Sequence, residues 1–340
     1  MADQSRSASE RPLTTRFCTL AGVRHPVVLG GMGPPSTSPE LVAAVSNAGG
    51  LGILGCSGLS AAQIAEHATR IRELTTEPFG LNLLLFAVGD DAVAAVLAAR
   101  PPIASFAWPR LDQPLNEIFA RAHEAGSLVM HMVSTTQEGR RAADAGADIV
   151  VAQGTEGGGH VGVMGTMALV PQVVDAVAPR PVLAAGGIAD GRGLAAALML
   201  GAEGVLLGTR FVATREAPVS DAVKQVIVDS DGHDTDLTEI PDIISQRVWP
   251  GAFARTWRNA LIQQWSGREW ELRQRIPEVT AAVAAARAAG DLDWAPVLFG
   301  QDAGLISSVE PAKDVVEGIV RQASDLLDGG RDRDSEQLPR

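Results

Sequence analysis

Eight short apolar runs recur roughly every 20 to 33 residues between residues 26 and 208, and a helix-compatible segment separates each from the next. They occupy residues 26–33, 51–54, 78–85, 103–108, 128–133, 148–152, 181–185 and 204–208. Most carry few polar side chains, as strands covered on both faces of a parallel sheet do. Strands alternating with helices build such a sheet, and a count of eight favours closure into a TIM (β/α)8 barrel over a doubly wound open sheet. Helix signals sit where that reading needs them. Ser38, Pro39 and Glu40 give an N-cap, a proline at the first helical position and an acidic first turn, and that helix stops at Gly49 and Gly50. Further helices are expected over 60–73, 90–99, 114–124, from a Ser134 cap to near Gly146, over 171–177, and from Asp190 to Leu200.

After Phe211 the alternation stops. Residues 216–296 read as a helical insertion after strand eight, rich in Arg, Gln, Ala and Trp, and a lid over the active face is the natural guess for it. Trp257, Leu261, Trp265 and Leu272 approximate one helical apolar stripe and are expected to be core. The barrel is therefore assigned to residues 13–215 and 297–328, closed by a helix over 310–327. Residues 1–12 and 329–340 are read as disordered tails.

Composition fits this architecture and excludes several function classes. The chain is 46% hydrophobic but only 4% aromatic, with no Tyr, so Ala, Val, Leu and Ile must fill the core. A net charge of -12 without a Lys/Arg run argues against a nucleic-acid footprint or an anionic membrane surface. The first residues lack the apolar core of a signal peptide and no stretch is long enough to span a bilayer, so a cytoplasmic protein is expected. Cys18 and Cys56 are too few for a disulfide framework and are read as buried small hydrophobes; no metal site is expected.

The chemistry concentrates between Val150 and Gly162, where an apolar strand gives way to glycines around Glu156 and His160. In a barrel this loop lies on the active face, and a neutral imidazole there can accept or donate a proton. On the residues alone, His160 is either a catalytic group or a loop-stabilising one. His131, near the end of the fifth strand, is a second pocket candidate, and His67, His123 and His233 read as surface. Asn82, the one polar side chain in the third strand, must be satisfied by the backbone or by a ligand. The loops after strands seven and eight, Gly186 to Asp190 and Gly208 to Arg210, sit where barrels commonly bind phosphate, and the first leads into a helix N-terminus that favours an anion. Gly50, Gly52 and Gly55, and again Gly157, Gly159 and Gly162, match the dinucleotide fingerprint, but neither set joins a strand to a long helix near the start of the chain.

Together these residues resemble the nitronate monooxygenases (formerly 2-nitropropane dioxygenases), FMN-dependent TIM barrels related to the FMN-dependent enoyl-ACP reductases. The resemblance rests on Ser46-Asn47-Ala48-Gly49-Gly50-Leu51-Gly52, Phe79-Gly80-Leu81-Asn82, Ala152-Gln153-Gly154-Thr155-Glu156-Gly157-Gly158-Gly159-His160, Ala184-Ala185-Gly186-Gly187-Ile188, Gly208-Thr209-Arg210-Phe211 and Gly300-Gln301-Asp302-Ala303-Gly304-Leu305-Ile306. It implies FMN as cofactor. Gly30, Gly31 and Met32 would lie against the flavin, Asn82 would hydrogen-bond it, and Gln153 and Gly154 would line its site. Gly186, Gly187, Gly208 and Thr209 would hold the phosphate, Gln301 and Gly304 would close over it, and Gly158 and Gly159 would border the substrate. It implies His160 as the base that removes the α-proton of a nitroalkane or assists its nitronate, with a small-molecule substrate, O2 as co-substrate, and a homodimer as one option for assembly. The sequence departs from the family's usual pattern at Leu29-Gly30-Gly31-Met32, where Gln-Ala-Pro-Met is typical, and at Gly157, where Ala is typical. The glycine loop and its His are shared with flavin-dependent enoyl-thioester reductases that use NAD(P)H, which stand as the alternative. A non-catalytic barrel binding a phosphorylated ligand is the alternative of another class.

Overall fold

The computed structural model describes residues 13–329, so of the two expected tails residues 1–12 and 330–340 lie outside the described residues, while Gly329 ends the last helix, Ala312–Gly329. Eleven strands follow one another: β1 (Val27–Leu29), β2 (Leu51–Gly55), β3 (Phe79–Leu84), β4 (Ile103–Ala107), β5 (Leu128–Val133), β6 (Ile149–Gln153), β7 (Gly159–Val161), β8 (Val182–Ala185), β9 (Val205–Leu207), β10 (Thr235–Thr238) and β11 (Phe253–Trp257). Eight of them, β1 to β6 with β8 and β9, close a parallel barrel in chain order, with β9 returning to β1 through the pairs Val27 with Val205 and Leu29 with Leu207. The fold is a TIM barrel, and its eight strands are the eight apolar runs.

Alternate residues of each strand divide between two cores. Val28, Leu51, Ile53, Ile103, Met130, Ile149, Val151, Leu183 and Leu206 fill the barrel interior. Val27, Leu29, Leu54, Leu81, Leu83, Val129, Val150 and Val182 face the surrounding helices. The helix Arg16–Ala21 closes the amino end of the barrel by placing Phe17, Cys18 and Ala21 among the interior residues. Glu203 holds it there, accepting from the Phe17 amide and pairing with Arg16. At six residues this helix is too short for its period to show in the sequence. Both cysteines are buried as expected, and burial pushes the Cys56 thiol up to about 12.

Two local readings are corrected. The fifth barrel helix, Thr136–Asp144, is capped by Thr135, not Ser134: the Thr135 hydroxyl accepts from the Glu138 amide, and the Glu138 carboxylate reaches back to the amides of Thr135 and Ser134. The helix expected to start at Pro171 runs over Thr166–Val177, with Pro171 inside it. Its first amide is held by the Glu156 carboxylate at 2.9 and 3.0 Å, a cap supplied from the glycine loop, so a proline at the first helical position is not needed.

The insertion is not purely helical. Besides helices it contributes β10 and β11, which pair antiparallel, and β11 also pairs with β7. Its own core comprises Ile240, Ile243, Ile244, Leu261, Ile262, Trp265, Leu272, Val279 and Val283. The expected apolar stripe spreads over three elements: Trp257 ends β11, Leu261 and Trp265 lie on Ala260–Trp265, and Leu272 lies on Glu269–Gln274. Among the described residues, no helix is long and apolar enough to cross a membrane.

Candidate active site

At the carboxyl end of β6 the chain enters the glycine loop, and the loop itself becomes a strand. Gly159, His160 and Val161 form β7, whose partners on β11 are Arg255, Ala254 and Phe253. His160 is thereby fixed to the insertion by main-chain pairing. Its Nε2 lies 2.7 Å from Oδ1 of Asp242, on the insertion helix Ile240–Ser245, and both side chains are about nine-tenths buried, at 12% and 11% exposure. The indole of Trp249 stacks on the imidazole, with centroids 3.4 Å apart and planes 7° from parallel. Phe86 and Trp108 pack against that indole at 4.6 and 6.1 Å. His160 is therefore the exit-loop histidine of the sequence reading, and Asp242 and Trp249 are partners that reading did not find.

The loop is anchored at several points. Arg255, buried on β11, donates from Nε to the Thr155 carbonyl at 2.9 Å and from a terminal nitrogen to the Thr235 hydroxyl. Burial lowers the Arg255 guanidinium's pKa, an effect opposed by the nearby charges of Glu156 and Asp236. The Gln301 amide donates to the Glu156 carbonyl at 2.9 Å, which docks the segment after the insertion onto the loop. Gly158 permits that contact: a Cβ there would lie 2.4 Å from the Phe299 carbonyl carbon.

The mouth of the barrel carries the residues expected to meet a cofactor. Asn82 is buried and faces inward, donating from Nδ2 to the Ser105 hydroxyl at 3.0 Å. Gly31 lies directly against it, since a Cβ on Gly31 would sit 2.4 Å from Asn82 Cβ; Gly30 is closed in the same way by Leu206, at 2.7 Å. Met32, partly buried, accepts the Thr37 hydroxyl at its carbonyl and brings its sulfur to 3.6 Å from where a Cβ on Gly208 would be. Gln153, at the end of β6, buries an Oε1 with no hydrogen-bond partner. An orphaned amide oxygen costs about 1–3 kcal/mol, which a donor on a ligand would recover. Gly154 admits no side chain, because a Cβ would collide with Thr166.

Gly186 and Gly187 have φ values of 95° and 74°, a left-handed turn that glycine adopts without strain. The helix end beyond them is already occupied. The Asp190 side chain caps the Arg192 and Gly193 amides, and Gln322 accepts from Gly191, so this N-terminus is not an open anion site as the sequence suggested. Thr209 lies at the start of the short helix Thr209–Val212, in which the Phe211 and Val212 amides donate to the Gly208 carbonyl and those of Thr209 and Arg210 are left without an intrahelical partner. Its hydroxyl is committed internally, accepting from the Gly300 amide at 2.9 Å and bonding Asp302. Burial pushes the Asp302 carboxyl up to about 7, against the lowering pull of its own backbone amide, Thr209 and Arg210.

The remaining expectations fare differently. Gln301 joins the site through its backbone, with its side chain exposed, and Gly304 backs onto Asp231 of the insertion, where a Cβ would lie 2.4 Å from a carbonyl oxygen. Gly159 sits in β7 with φ 75°. His131 is not a pocket residue. It points out of the barrel onto the helix layer, 5.4 Å from the Phe119 ring, and burial lowers it to about 3, so it packs as a neutral aromatic. The period of two in β5 decides this, since Met130 and Met132 take the interior positions. Among the described residues, no group of three or more His, Cys, Asp or Glu gathers as a metal site would.

Comparison with known proteins agrees with this fold. The nitronate monooxygenase family model matches residues 14–92 and 85–322. A (3aS,4S,5R,7aS)-5-hydroxy-7a-methyl-1-oxo-octahydro-1H-indene-4-carboxyl-CoA dehydrogenase of Mycobacterium tuberculosis is 34% identical, covering 92% of this chain and 96% of its own. A probable nitronate monooxygenase of Staphylococcus saprophyticus is 31% identical, covering 93% and 99%. Among solved structures, FabK from Thermotoga maritima superposes with a TM-score of 0.83 at 35% identity, covering 94% of this chain and 99% of that one. Nitroalkane oxidase from Streptomyces ansochromogenes gives a TM-score of 0.80 at 28% identity, covering 92% and 99%. The chain is an oxidoreductase and belongs to the nitronate monooxygenase family.

Proposed function

We propose that this protein is an FMN-dependent nitronate monooxygenase that oxidises alkyl nitronates, and nitroalkanes once ionised, to carbonyl compounds and nitrite with O2. The observation that carries the reading is His160 on the exit loop of β6, hydrogen-bonded to buried Asp242 at 2.7 Å, on the same loop as the unpartnered amide oxygen of Gln153. The residues present fit a flavin mononucleotide. Asn82 and Gln153 offer amides to its ring, Gly30 and Gly31 let the first-strand loop pack directly on Leu206 and Asn82, and the turns at Gly186, Gly187, Gly208 and Thr209 offer backbone to its phosphate. When bound, the flavin supplies the electron acceptor for the substrate carbanion. The chain itself holds the substrate beside His160, moves its proton and excludes water under Trp249.

The test is anaerobic: alkyl nitronate added to FMN-loaded protein is expected to bleach the flavin, and no bleaching across a panel of nitronates overturns the reading. A second reading is oxidoreduction next to an acyl thioester, favoured by the 34% identity to a carboxyl-CoA dehydrogenase. It predicts rapid flavin reduction by NADH or NADPH, or by an acyl-CoA, with nitronates inert.

A further inference from the structure

We propose that Asp242 is the positioning residue for proton transfer: it holds Nε2–H of His160, so that Nδ1 is the nitrogen that takes the proton from the substrate carbon. This rests on His160 being the base, as in the first reading above. An ionised carboxylate only accepts hydrogen bonds. With Oδ1 of Asp242 2.7 Å from Nε2, the neutral imidazole carries its hydrogen on Nε2 and its lone pair on Nδ1.

Three features keep the ring in that orientation. The backbone of His160 is paired to Ala254 of β11. The helix carrying Asp242 is pinned into the insertion core by Ile240, Ile243 and Ile244. Trp249 covers one face of the imidazole at 3.4 Å, so the ring cannot turn without displacing an indole that Phe86 and Trp108 also hold.

In the step, the substrate Cα–H bond breaks, an Nδ1–H bond forms, and the electron pair stays on the substrate as a nitronate or an enolate. The imidazolium so formed keeps its Nε2–H on Asp242, whose negative charge offsets the new positive one in a site shielded from water. A preformed nitronate has no such proton to give. Asp242 therefore serves neutral carbon acids, and the insertion that provides it is what fits this barrel to them.

The experiment uses FMN-loaded wild type, Asp242→Asn, Asp242→Glu and His160→Asn, with nitroethane and preformed ethyl nitronate as probes, together with 15N NMR of histidine-labelled protein. Nitroethane turnover is expected to fall about 10²- to 10⁴-fold in Asp242→Asn, mostly in kcat, while ethyl nitronate turnover changes less than about threefold. Asp242→Glu restores part of the nitroethane rate. The 15N spectrum is expected to show the Nε2–H tautomer for His160 in wild type and its loss in Asp242→Asn. The tautomer is read without turnover, so it serves equally if the substrate is a thioester. An Nδ1–H tautomer in wild type, equal losses on both probes, or undiminished nitroethane turnover in Asp242→Asn each overturn the proposal. Undiminished nitroethane turnover in His160→Asn instead removes the base reading on which it rests.

Discussion

Trp249 lies face to face with His160, their ring centroids 3.4 Å apart. An aromatic face attracts a cation, by about 2 kcal/mol when the pair is shielded from water. The indole therefore favours the imidazolium that forms when His160 takes a proton, in addition to what Asp242 contributes. Trp249→Ala is expected to lower kcat/KM for a neutral carbon acid roughly 10- to 30-fold with FMN retained, and Trp249→Phe to lose less. Steady-state kinetics with flavin content measured in parallel decide it. A rise in turnover would instead make the indole an obstruction over the base.

Gln153 buries an amide oxygen that no protein group satisfies. If a flavin donor is its partner, Gln153→Leu keeps the shape and loses one hydrogen bond, worth about 0.5–1.5 kcal/mol. FMN affinity, measured by quenching of flavin fluorescence on titration, is expected to fall about 2- to 12-fold, with the thermal stability of flavin-free protein unchanged or raised. Equal affinity in variant and wild type would assign the oxygen to another ligand.

The barrel was legible in the sequence because each strand announces itself locally, as an apolar run bounded by glycine or proline. His160 was legible for the same reason, lying in a glycine loop directly after such a run. Asp242 and Trp249 were not. Asp242 stands 82 residues from His160, and what brings it there is the pairing of three-residue β7 with five-residue β11. Strands that short, whose partner lies across an insertion, leave no periodic trace. His131 was misread because near a strand end the side that a residue faces depends on register, and a period of two reverses it with a shift of one residue.

Asp302 is buried beside Thr209 and Arg210, and burial raises its pKa to about 7 from an unfolded value near 3.8. Between those values the folded protein keeps a proton that the unfolded chain has released. Stability contributed by this group therefore falls as pH rises from about 4 to about 7, and the full penalty remains above that range. Asp302→Asn removes the titration. The melting temperature of the variant relative to wild type is expected to climb across this window, at no more than about 1.4 kcal/mol per pH unit, and to level off above pH 7. Thermal melts at pH 5, 6, 7 and 8 measure it, and a constant difference between the two proteins would mean that Asp302 stays ionised throughout.

Gly158 faces the backbone of Phe299 and Gly300, where a Cβ would come within 2.4 to 2.5 Å of main-chain atoms. Main chain cannot rotate away as a side chain can, so Gly158→Ala must push the 299–301 segment off the glycine loop. The contacts at stake are the Gln301 amide to the Glu156 carbonyl and, one residue earlier, the Gly300 amide to the Thr209 hydroxyl. Overpacking of this kind costs about 1–3 kcal/mol. The barrel core lies elsewhere, so the variant is expected to fold, with a modestly lower melting temperature, and to lose most of its FMN affinity and activity together. Gly159→Ala is the control, since a Cβ there meets nothing within 4 Å and only its φ of 75° is strained. It should cost stability without lifting the segment. If Gly158→Ala binds FMN as wild type does, the docking of 299–301 is dispensable for the cofactor site.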